Sequence, residues 1–375
     1  MKSLKLILFI VSLLTFLVSC NEPENSASNS NGKDVVNSNN KVLKEKYFVY
    51  VTNFDDDTLS VKKLNNKLGV LEDVETHYTC SNPNIVKPHH NRKWLYISCS
   101  GQDTVGVYSI DQETGELTGK SQVGGDGLYP HGLSISPDGN HLIVSYESSA
   151  KLVSYEIAND GSLTYVDEIN SAVADGSYGA PHDVWAYQGF VYVANYSASA
   201  HSIGVFELDE NGMFTLVEYQ AANGLNPKML WPAGDFLISV NRGSDNISIF
   251  SRDSETGELE FIRNESVGDS PTSITYMQHD GGYAIYVANS ADDTVSSFTY
   301  DIFTGDTTPI SVDSVGDKPV HIIGISAIGK LISLNGNEGN LTAHNKESNG
   351  SISNTGEDSY VGNNPTAFTQ IAISK

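Results

Sequence analysis

Five of the ten histidines lie within two residues of a proline: His89 and His90 after Pro88, His131 after Pro130, His182 after Pro181, and His321 two places after Pro319. Lys228 follows Pro227 in the same manner. Histidines gathered in one place disfavour each other's protonation, which leaves neutral imidazoles able to act as bases near neutral pH. Arg242, within Asn241-Arg242-Gly243, could stabilise a developing oxyanion. A base for water and a cation for a carbonyl oxygen are the parts of a lactone or ester hydrolase. No Gly-x-Ser-x-Gly nucleophile turn occurs. His131, His182 and Arg242 are therefore the candidate catalytic residues. His89, His90, Lys228, Tyr196 and His321 are candidates for holding a substrate or partner.

A metal is the other chemical option. His89, His90, His131 and His182 could hold a divalent ion if their nitrogens came within about 2.1 Å of one point. Their spacing matches no local zinc motif, so no metal ligand set is assigned. The Cys-x-x-Cys-His haem pattern is absent, and Trp94, Trp185 and Trp231 do not form the docking pattern of quinone propellers. No cofactor is expected.

What positions these residues is a repeat. Seven apolar strands end in small polar residues, beginning at Tyr50, Tyr96, Leu142, Tyr192, Leu237, Tyr286 and Leu331, at steps of 46, 46, 50, 45, 49 and 45. Strand-only units of this period are propeller blades. Each repeat has a proline-led strand (opened by Pro88, Pro130, Pro181, Pro227, Pro271, Pro319 and Pro365), then the apolar strand, then two more around a Gly-centred hairpin such as Glu113-Thr114-Gly115. The pattern predicts an all-β, seven-bladed β-propeller of four-stranded antiparallel blades. The first blade lacks a proline-led strand and the C-terminus has a spare one, Pro365 to Ile373, which is expected to complete blade 1 and close the ring.

With strands labelled A to D from the axis outward, A-strand starts and B–C hairpins share one rim. The proline-adjacent residues then surround the mouth of the central channel. The hairpins also carry Asp55, Asp103, Glu147, Asp245 and Asp293, and an acid at a hairpin tip serves turn chemistry first.

These motifs resemble the lactonase-type seven-bladed propellers, the family of 6-phosphogluconolactonase and carboxymuconate cyclase. The likeness runs from about Tyr47 to the C-terminus. Pro130-His131 and Asn241-Arg242-Gly243 match the family's pattern. Its Pro-Arg-His is Pro181-His182-Asp183 here, and its Glu after the next strand's Asn is replaced by Tyr196 following Asn195. The resemblance implies lactone hydrolysis, with one cation and one carboxylate missing from the motif. The alternative is a non-catalytic propeller that binds an envelope protein or glycan.

The formal charge of −24, from 46 acidic and 22 basic residues, excludes a nucleic-acid binder that works through phosphate contacts. Residues 1–19 read as a signal peptide: Lys2 and Lys5 precede an apolar run, Leu6 to Val18, that ends at Ser19-Cys20. The end of that run resembles the bacterial lipobox, so Cys20 is expected to be lipidated, palmitate included, and to be the protein's only membrane attachment. Asn21 in the next place resembles the outer-membrane sorting pattern, with the body facing either the periplasm or the surface. Residues 20–46 read as a disordered, Asn/Ser-rich tether and 47–375 as the propeller, a monomer. A non-phosphorylated lactone suits that location. Cys80 and Cys99 are either bridged or two buried thiols.

Overall fold

The computed structural model describes residues 35–36, 42–43 and 46–373, except 66–69, 172–179, 198–200 and 280. The signal peptide, Cys20 and most of the tether lie outside the described residues. The chain divides into two units, residues 1–46 with 374–375, and Tyr47–Ile373. In the first, Val35–Val36 pairs antiparallel with Val42–Leu43, a local pairing that the tether's composition does not predict.

The second unit is a propeller of seven four-stranded antiparallel sheets. Blades 2 to 7 open with Pro83–Pro88, Pro130–Ile135, Pro181–Tyr187, Pro227–Ala233, Pro271–His279 and Pro319–Ile325. In blade 1 the innermost strand is Pro365–Ile373, paired with Lys46–Asn53, so the C-terminus closes the ring as expected. Thr52 Oγ1 donates to Ala367 O (3.0 Å) and accepts from Ala367 N (3.2 Å). Phe368 and Ala372 pack with apolar residues of blades 7 and 1, whereas Ile371 and Ile373 pack with those of blades 1 and 2. The closing strand thus joins two inter-blade cores.

Burial follows sequence pattern. Second strands such as Phe190–Asn195 are buried along their whole length because neighbouring blades cover both faces, and they read as continuous apolar runs. Outermost strands such as Leu71–Tyr78 bury only their first residue and otherwise meet solvent. The C–D hairpins of blades 2 to 7 lock each of these blades to the one before it. Gly115 sits at φ +78°, and an added Cβ would stand 2.4 Å from the Phe48 ring of blade 1. Its carbonyl accepts from Tyr50 Oη at 2.8 Å. Only glycine combines that backbone with that closeness.

The structure corrects the sequence reading at blade 2. Pro83, not Pro88, opens this blade, and Pro88 ends the strand. His89 and His90 therefore lie in the A–B turn on the opposite rim. Their Nε2 atoms bond the Gly139 and Ser136 carbonyls of the next blade's A–B turn, at 2.9 and 3.0 Å. They clasp two blades together and stand away from the mouth. The reason is local: two prolines lie five residues apart, and only the first can pair with Cys99 at the strand end. Cys80 and Cys99 are bridged, with Cα atoms 5.7 Å apart.

Candidate active site

The innermost strands share a defect that aims side chains into the channel. In blade 4 Pro181 pairs with Asn195 and Asp183 with Ala194, which leaves His182 without a partner. The same jump frees Lys228 in blade 5, and in blade 3 it leaves His131 and Gly132 unpaired. A β-bulge of this kind turns the extra residue out of the ladder. The residue after each opening proline is thus presented to the mouth for backbone reasons. What it does there depends on its side chain.

A second ring comes from the residue following each B strand: Glu147, Tyr196 and Arg242 in blades 3, 4 and 5. A third comes from the residue before each proline, held in the left-handed region in every blade, Tyr129 among them at φ +59°. A tyrosine in that conformation is uncommon. In blades 3 to 5 the three rings meet. Tyr129, His131, Glu147, Ser148, His182, Tyr196, Lys228 and Arg242 line a cleft of about 300 Å³.

Within the cleft the aromatic rings form a column. His131 and His182 have centroids 3.7 Å apart, and His182 and Tyr196 5.3 Å apart. Gly132 permits the first contact, because a Cβ there would stand 2.8 Å from the His182 carbonyl. That carbonyl bonds His131 Nδ1 at 2.8 Å. A carbonyl only accepts, so Nδ1 carries the proton and Nε2 keeps its lone pair. Nδ1 of His182 is buried without a well-formed hydrogen bond, although the Lys228 backbone acts on the ring and opposes the lowering of its pKa. Arg242 Nη1 donates to Tyr196 Oη at 3.4 Å, and the Tyr196 carbonyl accepts from Asn226 Nδ2 at 2.9 Å.

The electrostatics are set first by burial. Burial, reinforced by Lys228, lowers His131 to about 3. Burial also holds His182 well below the ordinary imidazole value, with His131 and Lys228 adding to the effect. Both rings are neutral, as expected of clustered histidines, and both are poor proton acceptors. Burial and Arg242 lower Lys228 to about 8. Burial raises Glu147, with Lys228 opposing.

Five expected site residues therefore share one cleft: His131, His182, Arg242, Lys228 and Tyr196. His321 does not join them. It lies in the channel wall, where its Nδ1 accepts from Phe368 N at 3.2 Å, and burial lowers it to about 4. Asp183 occupies the corresponding wall position in blade 4, accepting from Leu230 N at 2.8 Å. Because His89 and His90 stand on the far rim, they cannot share an ion with His131 and His182. Among the described residues no cluster of His, Cys, Asp or Glu is arranged to hold a metal.

Glu147 was placed on this rim but read as a turn residue, and Tyr129 was missed. Glu147 was readable in principle, because it follows its B strand as Tyr196 and Arg242 follow theirs. Tyr129 gave no signal in the pattern. Glu147 and Lys228 bring a carboxylate and a cation to the cleft beside blade 4, whose own cleft residues, His182 and Tyr196, supply neither. Each arrives from a neighbouring blade.

The family model described as lactonase, seven-bladed β-propeller, matches residues 44–174 and 163–276. The chain belongs to this family. Among the lactonase-type propellers, a 6-phosphogluconolactonase of Formosa agariphila is 23% identical over 60% of this chain and 70% of its own length. One from Bacillus subtilis is 27% identical over 51% of this chain, a match that spans little more than half of that protein, 54%. The structure of a periplasmic gluconolactonase from Pseudomonas aeruginosa superposes with a TM-score of 0.73 over 88% of this chain and 99% of that one, at 17% identity. A Lactobacillus plantarum protein reaches 0.77 over 88% of this chain and all of its own, at 15% identity. At such identities the structural likeness shows the fold alone.

Proposed function

We propose that this propeller hydrolyses a small, non-phosphorylated lactone in the cleft of blades 3 to 5. The observation that carries the reading is the meeting of one carboxylate, two cations and two neutral imidazoles in about 300 Å³. Such a space is small and polar, suited to a small molecule rather than to a protein surface.

Glu147 is the general base. Its raised pKa strengthens it toward neutral pH, whereas the imidazoles are too weakened by burial for that task. It takes a proton from water as the hydroxide attacks the lactone carbonyl. Arg242 and Lys228 stabilise the oxyanion. The tetrahedral intermediate then collapses, the ring C–O bond breaks, and Glu147 returns the proton to the departing alkoxide. The lone pair on His131 Nε2 accepts a hydrogen bond from the attacking water or from a substrate hydroxyl. With Glu147 ionised, the two cations leave the cleft net positive, which also favours a lactone bearing a carboxylate.

The proposed setting is the cell envelope, with the body tethered through lipidated Cys20 at the outer membrane. Labelling with a palmitate analogue, lost in Cys20→Ser, tests the anchor.

The deciding experiment is turnover of γ-butyrolactone, gluconolactone and 6-phosphogluconolactone by the wild type, Glu147→Gln and Arg242→Ala. Hydrolysis reduced at least a hundredfold in either variant supports the reading. Hydrolysis untouched by Glu147→Gln removes Glu147 as the base. Inertness toward all lactones, with saturable glycan or protein binding, would favour the envelope binder instead.

A further inference from the structure

Two leucines stand in water at the border of the cleft. Leu128 is 56% exposed and Leu225 is 48% exposed. Each lies two residues before an opening proline, in blades 3 and 5. Both are fastened in the same manner. Leu128 N donates to Ser149 Oγ at 2.6 Å, and its carbonyl accepts from Ser148 N at 3.2 Å. Leu225 N donates to Ser244 Oγ at 2.8 Å, and its carbonyl accepts from Gly243 N at 2.8 Å.

The loop itself does not ask for leucine. The same place holds Ser81, Asp269, Asp317 and Asn363 in blades 2, 6, 7 and 1. The backbone there is held just as well: Asp269 N donates to Asp292 Oδ2 at 2.7 Å, and Asn363 N donates to Asp56 Oδ2 at 2.8 Å. A single exposed leucine needs no explanation. Two on equivalent places, in the two loops that flank the cleft, and polar residues at that place in the four other blades named, do. Leu128 adjoins Tyr129, and Leu225 is bonded to the neighbour of Arg242.

We infer that Leu128 and Leu225 form an apolar ledge, and that the ligand is a lactone with a saturated hydrocarbon arm. The inference rests on the proposed hydrolysis and names its substrate class. The lactone ring enters the polar cleft while the arm lies on the leucines and loses its contact with water. A sugar lactone with a hydroxyl on every carbon would set those hydroxyls against the ledge without partners.

The test is a series of γ-lactones with lengthening alkyl chains, from γ-butyrolactone to γ-decalactone. Wild-type kcat/KM should rise roughly twofold or more per added methylene, since burial favours each one. In Leu128→Asn/Leu225→Asn the ratio of long-chain to short-chain kcat/KM should collapse toward one. Asparagine is the residue blade 1 carries at this place, so the loop tolerates it. A wild type that hydrolyses every member equally well overturns the ledge and leaves the hydrolysis intact. The matching γ-lactams, titrated calorimetrically, give an answer independent of turnover. Affinity that climbs with chain length and is lost in the double variant supports the ledge even if no lactone is cleaved. Affinity that is flat or absent overturns it.

Discussion

Blades 3 to 5 and blades 6, 7 and 1 put the same three rings of residues at the channel mouth, and use them in opposite ways. After the opening proline, the first group carries His131, His182 and Lys228; the second carries Thr272, Val320 and Thr366. After the second strand, the first group has Glu147, Tyr196 and Arg242; the second has Ser290, Gly336 and Phe54. The quiet half spends its polar atoms on its neighbours. Thr272 Oγ1 donates to Pro319 O at 3.0 Å, Thr366 Oγ1 to Asn84 O at 2.8 Å, and Ser290 Oγ to Ser270 O at 3.0 Å. In the cleft half His131 and His182 lie ring against ring, with centroids 3.7 Å apart, and Arg242 Nη1 reaches Tyr196 Oη at 3.4 Å. One half of the mouth ties neighbouring blades together, and the other carries the cleft in which the hydrolysis is proposed.

The largest expected effect falls on the quiet half. Truncation before Pro365 removes a strand that belongs to two cores, and the propeller should lose its cooperative thermal transition. A truncated chain that melts like the whole one would dissolve the structural role given to this side.

Next come the side chains themselves. Arg242→Ala should lower kcat/KM about 10²- to 10³-fold. Thr272→Val, which keeps the volume and removes the hydroxyl, should cost stability, about 1 kcal/mol by denaturant titration, and leave kcat within about twofold. Equal kinetic losses from both would erase the contrast.

The pH profile sharpens it. The proposed hydrolysis uses Glu147 ionised, so activity should rise with pH through a limb above the usual carboxylate range, and it uses Lys228 charged, so activity should fall near pH 8. Lys228→Arg should carry the alkaline limb upward, because a guanidinium does not lose its proton there. A limb that stays in place would separate Lys228 from the reaction.

The remaining effect is on acid stability. His131 at about 3 and His344 at about 4 lie below the ordinary imidazole value, because burial penalises the charged ring in both halves. Their neutral forms contribute fully above pH 6.5, and the contribution fades as pH falls below it, since the unfolded chain binds protons that the folded one refuses. The melting temperature should therefore drop between pH 7 and pH 5. A flat profile would mean these rings take up protons without unfolding.

Much of this was legible beforehand. The period, the hairpin glycines and the orphan strand at Pro365 foretold seven blades and the closure. His131, His182, Lys228, Tyr196 and Arg242 were readable as neighbours because a ring turns equal spacing into a shared face. Pro88 misled because a second proline lies close by, and composition alone does not reveal which one meets the end of the next strand. Glu147 was passed over because a hairpin-tip acid looks the same whether it shapes a turn or faces a cleft.

By itself the order of residues determined the architecture, because repeated apolar strands can hide their faces only against copies of themselves, and a spare strand can pair only with the edge that lacks one. Which polar groups remain unpaired was decided only in three dimensions. Burial, the bulge after each proline and the approach of His182 to Gly132 depend on distances between blades far apart in the chain, and those distances set both the tautomer of His131 and the charge around it.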